Sequence, residues 1–197
     1  VEEVSLREDL LKAILPAYYL IANCEATANH SNLDGIRFGV QQPGDSMEEI
    51  MIQSRTKGFG SLIRKRFVIG SYGLFVENQE KLFRQAQRVR RLIVENVAEM
   101  MKDYDILIAP ASSDVAPKLD DHSRDELSDG YLIAENHMVI GNFTGYPSCT
   151  VPMGMLNGLP IGLNMTAKAW DEQSLFDFAA AMEEITGMKD ATAEVME

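Results

Sequence analysis

The sequence predicts an α/β fold in which helices cover a mixed sheet. Two short apolar runs, residues 148–151 and 161–166, are bounded by Gly, Pro and Asn and are too short for helices, so each is predicted to be a buried strand. A third apolar run, residues 105–109, follows a long helical pattern and ends at Pro110. Long amphipathic segments that alternate with short apolar runs are typical of helices layered on a sheet.

Helical periodicity covers most of the remaining chain. Residues 7–31 repeat apolar side chains every three or four positions, but Pro16 lies inside this pattern and predicts a kink or a break into two helices. Another helix is predicted to begin after Ser46, with Glu49 at the capping-box position. The other predicted helices cover residues 61–75, 78–103, about 130–143 and 171–187.

The connections and the chain ends show weaker patterns. Asn157 and Gly158 predict a turn between the two later strands, because both residue types accept positive φ. The alternating apolar residues at 1, 4 and 6 predict a strand that the chain enters partway through. Residues 189–197 have little to bury and are expected to fray. We expect residues 1–197 to form a single lobe.

Composition limits the class of protein. The chain has 46% hydrophobic and 24% charged residues, which is ordinary for a globular protein, and no run of about 18 apolar residues that could span a membrane. Its two cysteines lie in apolar surroundings and its three histidines have no metal-ligand spacing, so buried thiols and no metal site are expected. These features favour a cytoplasmic protein without a cofactor of its own.

The charges are unevenly distributed along the chain. Residues 55–91 hold ten basic and two acidic side chains, although the whole chain carries a net charge of −12. Such a segment could form a basic face for a phosphate group or an acidic partner, or simply a solvated helix surface.

Three stretches have distinctive Gly- and Pro-containing wording: residues 32–39 (NLDGIRFG), residues 58–70 (GFGSLIRKRFVIG) and residues 145–163 (GYPSCTVPMGMLNGLPIGL). They resemble the amidase signature family, and within it the glutamine-using branch formed by the A subunits of tRNA-dependent amidotransferases. The resemblance covers nearly the whole chain, but the chain corresponds only to the C-terminal portion of the family's domain. It implies the C-terminal lobe of the amidase signature fold.

The resemblance also implies which site residues are present. The family's catalytic serine pair and lysine belong to an N-terminal stretch that this sequence does not contain, so no catalytic residue is assigned here. Arg66 matches the arginine that holds the carboxylate of free glutamine. Glu135 stands where the family has an aspartate for the substrate's ammonium group, and Tyr18 matches a tyrosine of the same pocket. Each could instead have only a structural role.

The function implied by the resemblance is that of a glutaminase within an amidotransferase complex. It would supply ammonia to convert Glu-tRNA(Gln), or Asp-tRNA(Asn), to the correctly amidated tRNA. Its partners would be subunits B and C, no membrane would be involved, and the mischarged tRNA, ATP and Mg²⁺ would be used by the partner subunit. The alternatives are another amidase signature hydrolase and a non-catalytic scaffold or partner-binding fragment. The sequence predicts that the 197-residue chain alone is inactive.

Overall fold

The computed structural model describes residues 1–112, 114–120 and 138–192. The chain divides into two compact units, one formed by Val1–Leu15 with Leu92–Glu197 and the other by Pro16–Arg91. The sequence predicts that residues 1–197, which include both units, form a single lobe. This stays a prediction. Most of the predicted frayed tail lies outside the described residues.

The described elements combine helices with strands, as expected for an α/β chain. The helices are α1 (Glu8–Asn29), α2 (Met47–Gly58), α3 (Ser61–Leu74), α4 (Val76–Gln79), α5 (Gln85–Met100), α6 (Val139–Thr144) and α7 (Glu172–Thr186). The strands are β1 (Ile106–Pro110), β2 (Ser148–Leu156) and β3 (Leu159–Ala167). Short helical turns cover His30–Asn32, which is 3₁₀, and Glu80–Arg84, which is a π-helical turn joining α4 to α5. The α/β class is confirmed.

The predicted capping residues begin their helices. The Ser46 hydroxyl accepts a hydrogen bond from the Glu49 backbone N–H at 3.1 Å, as in a capping box. The Glu49 carboxylate reaches back to the backbone N–H of Asp45 at 3.0 Å, one residue earlier than the standard box. The Asp171 side chain caps α7 by accepting from the Ser174 N–H, and α7 ends at Gly187 with φ of 65°.

The sequence prediction of an N-terminal strand is wrong, and the prediction at Pro16 is settled only in part. α1 runs through Pro16 from Glu8 to Asn29, so it is not broken into two helices, and the alternative of a kink stays a prediction. Residues 1–7 form no strand. Their alternating pattern instead reflects side-chain packing, because Val1 and Val4 line an apolar groove of about 460 Å³ together with side chains of β1, β3 and α7. The Tyr104 hydroxyl donates to the Glu2 carboxylate at 2.6 Å and anchors this segment.

The sheet and α7 form the core of the first unit. The strand order is β1-β3-β2, and both pairings are antiparallel. Asn157 and Gly158 take φ of 54° and 78° in the β2–β3 turn, as predicted. A register shift between Pro152 and Gly154 marks a bulge in β2. The buried cluster at the centre of this unit comprises Val151, Leu163, Met165, Ala167 and Leu175.

Candidate substrate-binding site

The second unit is organised by a close crossing of α1 and α3. A Cβ atom added at Gly70 would lie 2.1 Å from both the Asn23 carbonyl oxygen and the Thr27 hydroxyl. A Cβ atom at Gly73 would lie 2.7 Å from the Cys24 sulfur. Since real Cβ atoms do not approach other atoms this closely, both positions require glycine for the two helices to touch.

This crossing positions Arg66. It lies four residues before Gly70, so the two residues share a face of α3, the face that meets α1. The Arg66 side chain is half-buried, and its guanidinium carbon lies 5.8 Å from the centre of the Tyr19 ring on α1. This distance is typical of a cation–π contact, which orients the guanidinium plane.

Tyr18 lies beside this contact. The rings of Tyr18 and Tyr19 meet edge to face with their centroids 5.5 Å apart, and both side chains are half-buried. Of the predicted site residues, Arg66 and Tyr18 are therefore linked through Tyr19. Sequence reasoning did not select Tyr19, although its four-residue spacing to Asn23 and Thr27 places it on the α1 face that meets Gly70.

Glu135, the third predicted site residue, lies outside the described residues. The proposed convergence of Arg66 and Glu135 on one cleft therefore stays a prediction. The same holds for most of the helix predicted at about 130–143, of which the described part is α6, Val139–Thr144.

The motif at residues 32–39 folds around a buried carboxylate. Asp34 is 2% exposed and accepts hydrogen bonds from the backbone N–H groups of Ile36 at 2.9 Å and Arg37 at 2.8 Å. The Arg37 side-chain Nε also donates to it at 2.8 Å. The backbone N–H of Arg37, then that of Ile36, followed by the Arg37 guanidinium, lower the pKa of Asp34 to about 2. Asp34 is thus a structural anion that shapes the loop.

An arginine–aromatic cluster holds this loop against α3. Arg55 donates to the carbonyl oxygens of His30 at 2.7 Å and Leu33 at 3.2 Å. Its guanidinium carbon lies 5.1 Å from the ring centre of Phe59 and 5.2 Å from that of Phe67. Phe67 immediately follows Arg66, so the cluster also fixes the backbone that carries the proposed substrate-binding arginine.

The third motif forms the β2–β3 hairpin in the first unit. The Asn164 amide donates to the Cys149 carbonyl at 3.2 Å and to the Thr150 hydroxyl at 3.1 Å, which ties the two strands together. Burial raises the pKa of the Cys149 and Cys24 thiols, so neither is activated as a nucleophile. Within residues 1–112, 114–120 and 138–192, no group of three or more His, Cys, Asp and Glu side chains could hold a metal ion.

Comparison with known proteins identifies the family. The family model described as Amidase matches residues 1–176, and the chain belongs to this family. Among curated relatives, the A subunit of glutamyl-tRNA(Gln) amidotransferase from Latilactobacillus sakei is 33% identical over 94% of this chain. The protein of the same name from Roseiflexus castenholzii is 35% identical over 93% of this chain. The chain spans only 38% and 37% of these two relatives, in keeping with the predicted C-terminal portion.

Solved structures give the same result at the level of fold. The chain matches the A subunit of glutamyl-tRNA(Gln) amidotransferase from Thermotoga maritima with 26% identity and a TM-score of 0.60, covering 91% of this chain and 34% of that one. An amidase structure matches with a TM-score of 0.67 at 16% identity, covering 90% of this chain and 36% of that one, which shows the fold alone. No helix among the described residues is long and apolar enough to cross a membrane.

Proposed function

We propose that this chain is the glutamine-binding part of the A subunit of a tRNA-dependent amidotransferase. The glutaminase would release ammonia for the conversion of Glu-tRNA(Gln), or Asp-tRNA(Asn), to Gln-tRNA or Asn-tRNA. The observation that carries this proposal is the half-buried Arg66, held against Tyr19 and next to Tyr18 by the α1–α3 crossing. The curated relatives named above support the same function.

The chemistry of glutamine explains why an arginine suits this position. A guanidinium offers two parallel N–H donors to the substrate's carboxylate, and lysine cannot reproduce this geometry. Stacking on Tyr19 limits the orientations of the guanidinium and reduces the entropy lost when substrate binds. In this proposal Glu135 pairs with the ammonium group at the other end of the substrate, and Tyr18 lines the pocket.

The remaining parts of the reaction belong to other polypeptide segments. The nucleophilic serine, the second serine and the lysine would come from the N-terminal part of the amidase domain. Subunits B and C would complete the complex in the cytoplasm, and the partner subunit would use ATP and Mg²⁺ to activate the mischarged tRNA. This chain itself would need no cofactor.

A comparison of two nitrogen donors tests this proposal. The measurement uses the polypeptide that carries this chain, purified with its amidotransferase partners, and follows tRNA amidation with glutamine or with free ammonia. Glu135→Gln should lower kcat/KM for glutamine by about tenfold or more and leave ammonia-dependent amidation unchanged, because ammonia bypasses the pocket. The control Glu184→Gln changes an exposed carboxylate on α7 and should affect neither donor.

Three results would contradict the proposal. If Glu135→Gln lowered amidation equally with glutamine and with ammonia, this residue would not act in glutamine binding. Faster ammonia release from simple aryl or aliphatic amides than from glutamine would indicate a different amidase signature hydrolase. Amidation or glutaminase activity that does not depend on this chain would indicate a scaffold.

A further inference from the structure

A small cavity lies between the 33–42 loop and α2. It measures about 230 Å³ and is lined by residues of both segments and by Phe59, which follows α2. Leu33, Val40 and Phe59 supply an apolar wall, and Gly35, Gly39 and Gly58 expose backbone in place of side chains. Neither Arg66 nor Tyr18 is among the described residues that line the cavity, so it is distinct from the part of the proposed glutamine site that these two residues form.

A buried hydroxyl in this cavity has an unused donor. Ser54 is 6% exposed, and its Oγ accepts a hydrogen bond from the Gln42 backbone N–H at 2.9 Å. Within the part of the chain that the structure describes, nothing accepts a hydrogen bond from the Ser54 hydroxyl. A buried donor without an acceptor is unfavourable, so a ligand that supplies the acceptor would gain affinity from this contact.

Glycine at position 35 makes room for the Ser54 hydroxyl itself. Gly35 adopts φ of +79°, and a Cβ atom there would lie 2.2 Å from the Ser54 Oγ. A side chain at position 35 would therefore collide with the hydroxyl that lines the cavity. Both the positive φ and this close approach require glycine at the position.

The charge of the cavity favours an anion. Lys57 lines it, and this lysine forms no ion pair within the described ranges of the chain. No carboxylate is found among the described residues that line the cavity. A ligand carboxylate would therefore meet one full positive charge and one hydroxyl donor, with no negative charge in the lining to repel it.

We propose that this cavity binds a small monocarboxylate with an apolar body. The carboxylate lies between the Ser54 hydroxyl and the Lys57 ammonium group, and the body packs on Leu33, Val40 and Phe59. A cavity of about 230 Å³ lies below the ~300–1,000 Å³ typical of drug-sized ligands, so the ligand is an aryl or short branched carboxylic acid. This site does not depend on the proposed function.

The test measures binding of benzoate and of its uncharged analogue, benzyl alcohol, to the purified ¹⁵N-labelled polypeptide that carries this chain, by NMR titration. We expect benzoate to bind about tenfold more tightly than benzyl alcohol, or better. The amide signals of Gly35, Gln42 and Gly58 should shift in proportion to the bound fraction. Ser54→Ala should weaken benzoate binding by about tenfold, the usual effect of losing one hydrogen bond to a charged group.

A pair of charge-matched variants makes the result decisive. Lys57→Gln should reduce benzoate affinity to that of benzyl alcohol, whereas Arg64→Gln, which removes the same charge from an exposed position on α3, should leave it unchanged. Both side chains are exposed, so the variants should fold normally. Equal benzoate affinity in the Lys57→Gln variant and the original chain, or no shift of the three amide signals at saturating benzoate, would overturn the proposal.

Discussion

At the scale of single residues, Asp34 shows how one buried charge can specify a loop. Its carboxylate gathers the backbone N–H groups of Ile36 and Arg37 and the Arg37 side chain. These donors favour the ionised form and lower its pKa from the reference value of 3.8 to about 2. A group with a lowered pKa stabilises the fold above its unfolded pKa, and this stabilisation disappears as pH falls through the folded value.

Asp34→Asn should therefore destabilise the chain in a pH-dependent manner. Urea unfolding between about pH 2 and pH 6 should show lower stability than the original chain above about pH 4, with the difference shrinking towards pH 2. Asp9→Asn is the control. The side chain of Arg7 also lowers the Asp9 pKa to about 2, but this ion pair is exposed at the surface, so the substitution should change the free energy of unfolding little. A constant difference across this pH range would contradict the assigned role of Asp34.

The site residues differ in how far sequence could predict them. Arg66 and Tyr18 were selected by resemblance, and the structure places both beside Tyr19. Sequence analysis did not select Tyr19, because two adjacent tyrosines on a helix point in different directions. Only the position of the neighbouring helix α3 determines which tyrosine Arg66 contacts. Gly70, which fixes that partner, lies about 50 positions away in sequence. Its effect on α1 could not be read from local periodicity.

At the scale of elements, the α1–α3 crossing sets the distance between the two helices of the candidate site. Gly70→Ala should destabilise the chain by about 1–3 kcal/mol, because overpacking forces the helices apart. This cost exceeds the ~1 kcal/mol that alanine gains over glycine through helix propensity. The new Cβ atom would meet a hydroxyl and a backbone carbonyl 2.1 Å away, and the carbonyl cannot move without shifting α1.

Gly141→Ala is the matched control for this prediction. Gly141 also lies inside a helix, but a Cβ atom there would be 3.9 Å from the nearest atom of the described residues, an ordinary contact. This variant should gain up to about 1 kcal/mol in urea unfolding because only helix propensity changes. If both alanine variants are equally stable, the close helix crossing is not a constraint on this fold.

The elements that the sequence predicted correctly have turn or capping residues at their ends. The β2–β3 hairpin has Asn157 and Gly158 at its turn, and α7 has Asp171 and Gly187 at its ends. α1 continues through Pro16 because buried Ile14, Ala17 and Ile21 in the same helix add packing that outweighs the helix hydrogen bond lost at proline. The strand predicted at the N-terminus did not form, because alternating side chains do not by themselves supply a backbone partner.

At the scale of the whole molecule, the described residues include a group of strongly exposed apolar side chains on neighbouring helices. Val68, Tyr72, Phe75 and Val76 form a stripe along α3 and the start of α4, with Val68 70% and Val76 90% exposed. We expect the purified chain to self-associate at micromolar concentration in sedimentation velocity. The double variant Val68→Glu with Val76→Glu should shift it towards monomer, and Ile185→Glu on α7 should not. A monomeric original chain would contradict this expectation.

The proposed function gives a second prediction for the whole chain. It assigns the two serines and the lysine to another polypeptide segment, so the purified 197-residue chain should release no measurable ammonia from glutamine. Losing a catalytic unit of this kind removes about 10⁶-fold in rate in the serine-protease case. A coupled glutamate dehydrogenase assay measures this directly. Turnover by the chain alone would mean that its own residues carry the chemistry and that the assigned roles are wrong.

The most direct test of the central claim compares two arginines on α3. In the polypeptide that carries this chain, assembled with its partners, Arg66→Lys should raise the KM for glutamine by about 10- to 100-fold, since a charged hydrogen bond contributes ~1.5–3 kcal/mol. Arg64→Lys, two residues earlier and exposed, should leave KM unchanged, and ammonia-dependent amidation should be normal in both variants. An unchanged KM in Arg66→Lys, or an equal rise in both variants, would contradict the assignment of Arg66 as the glutamine carboxylate receptor.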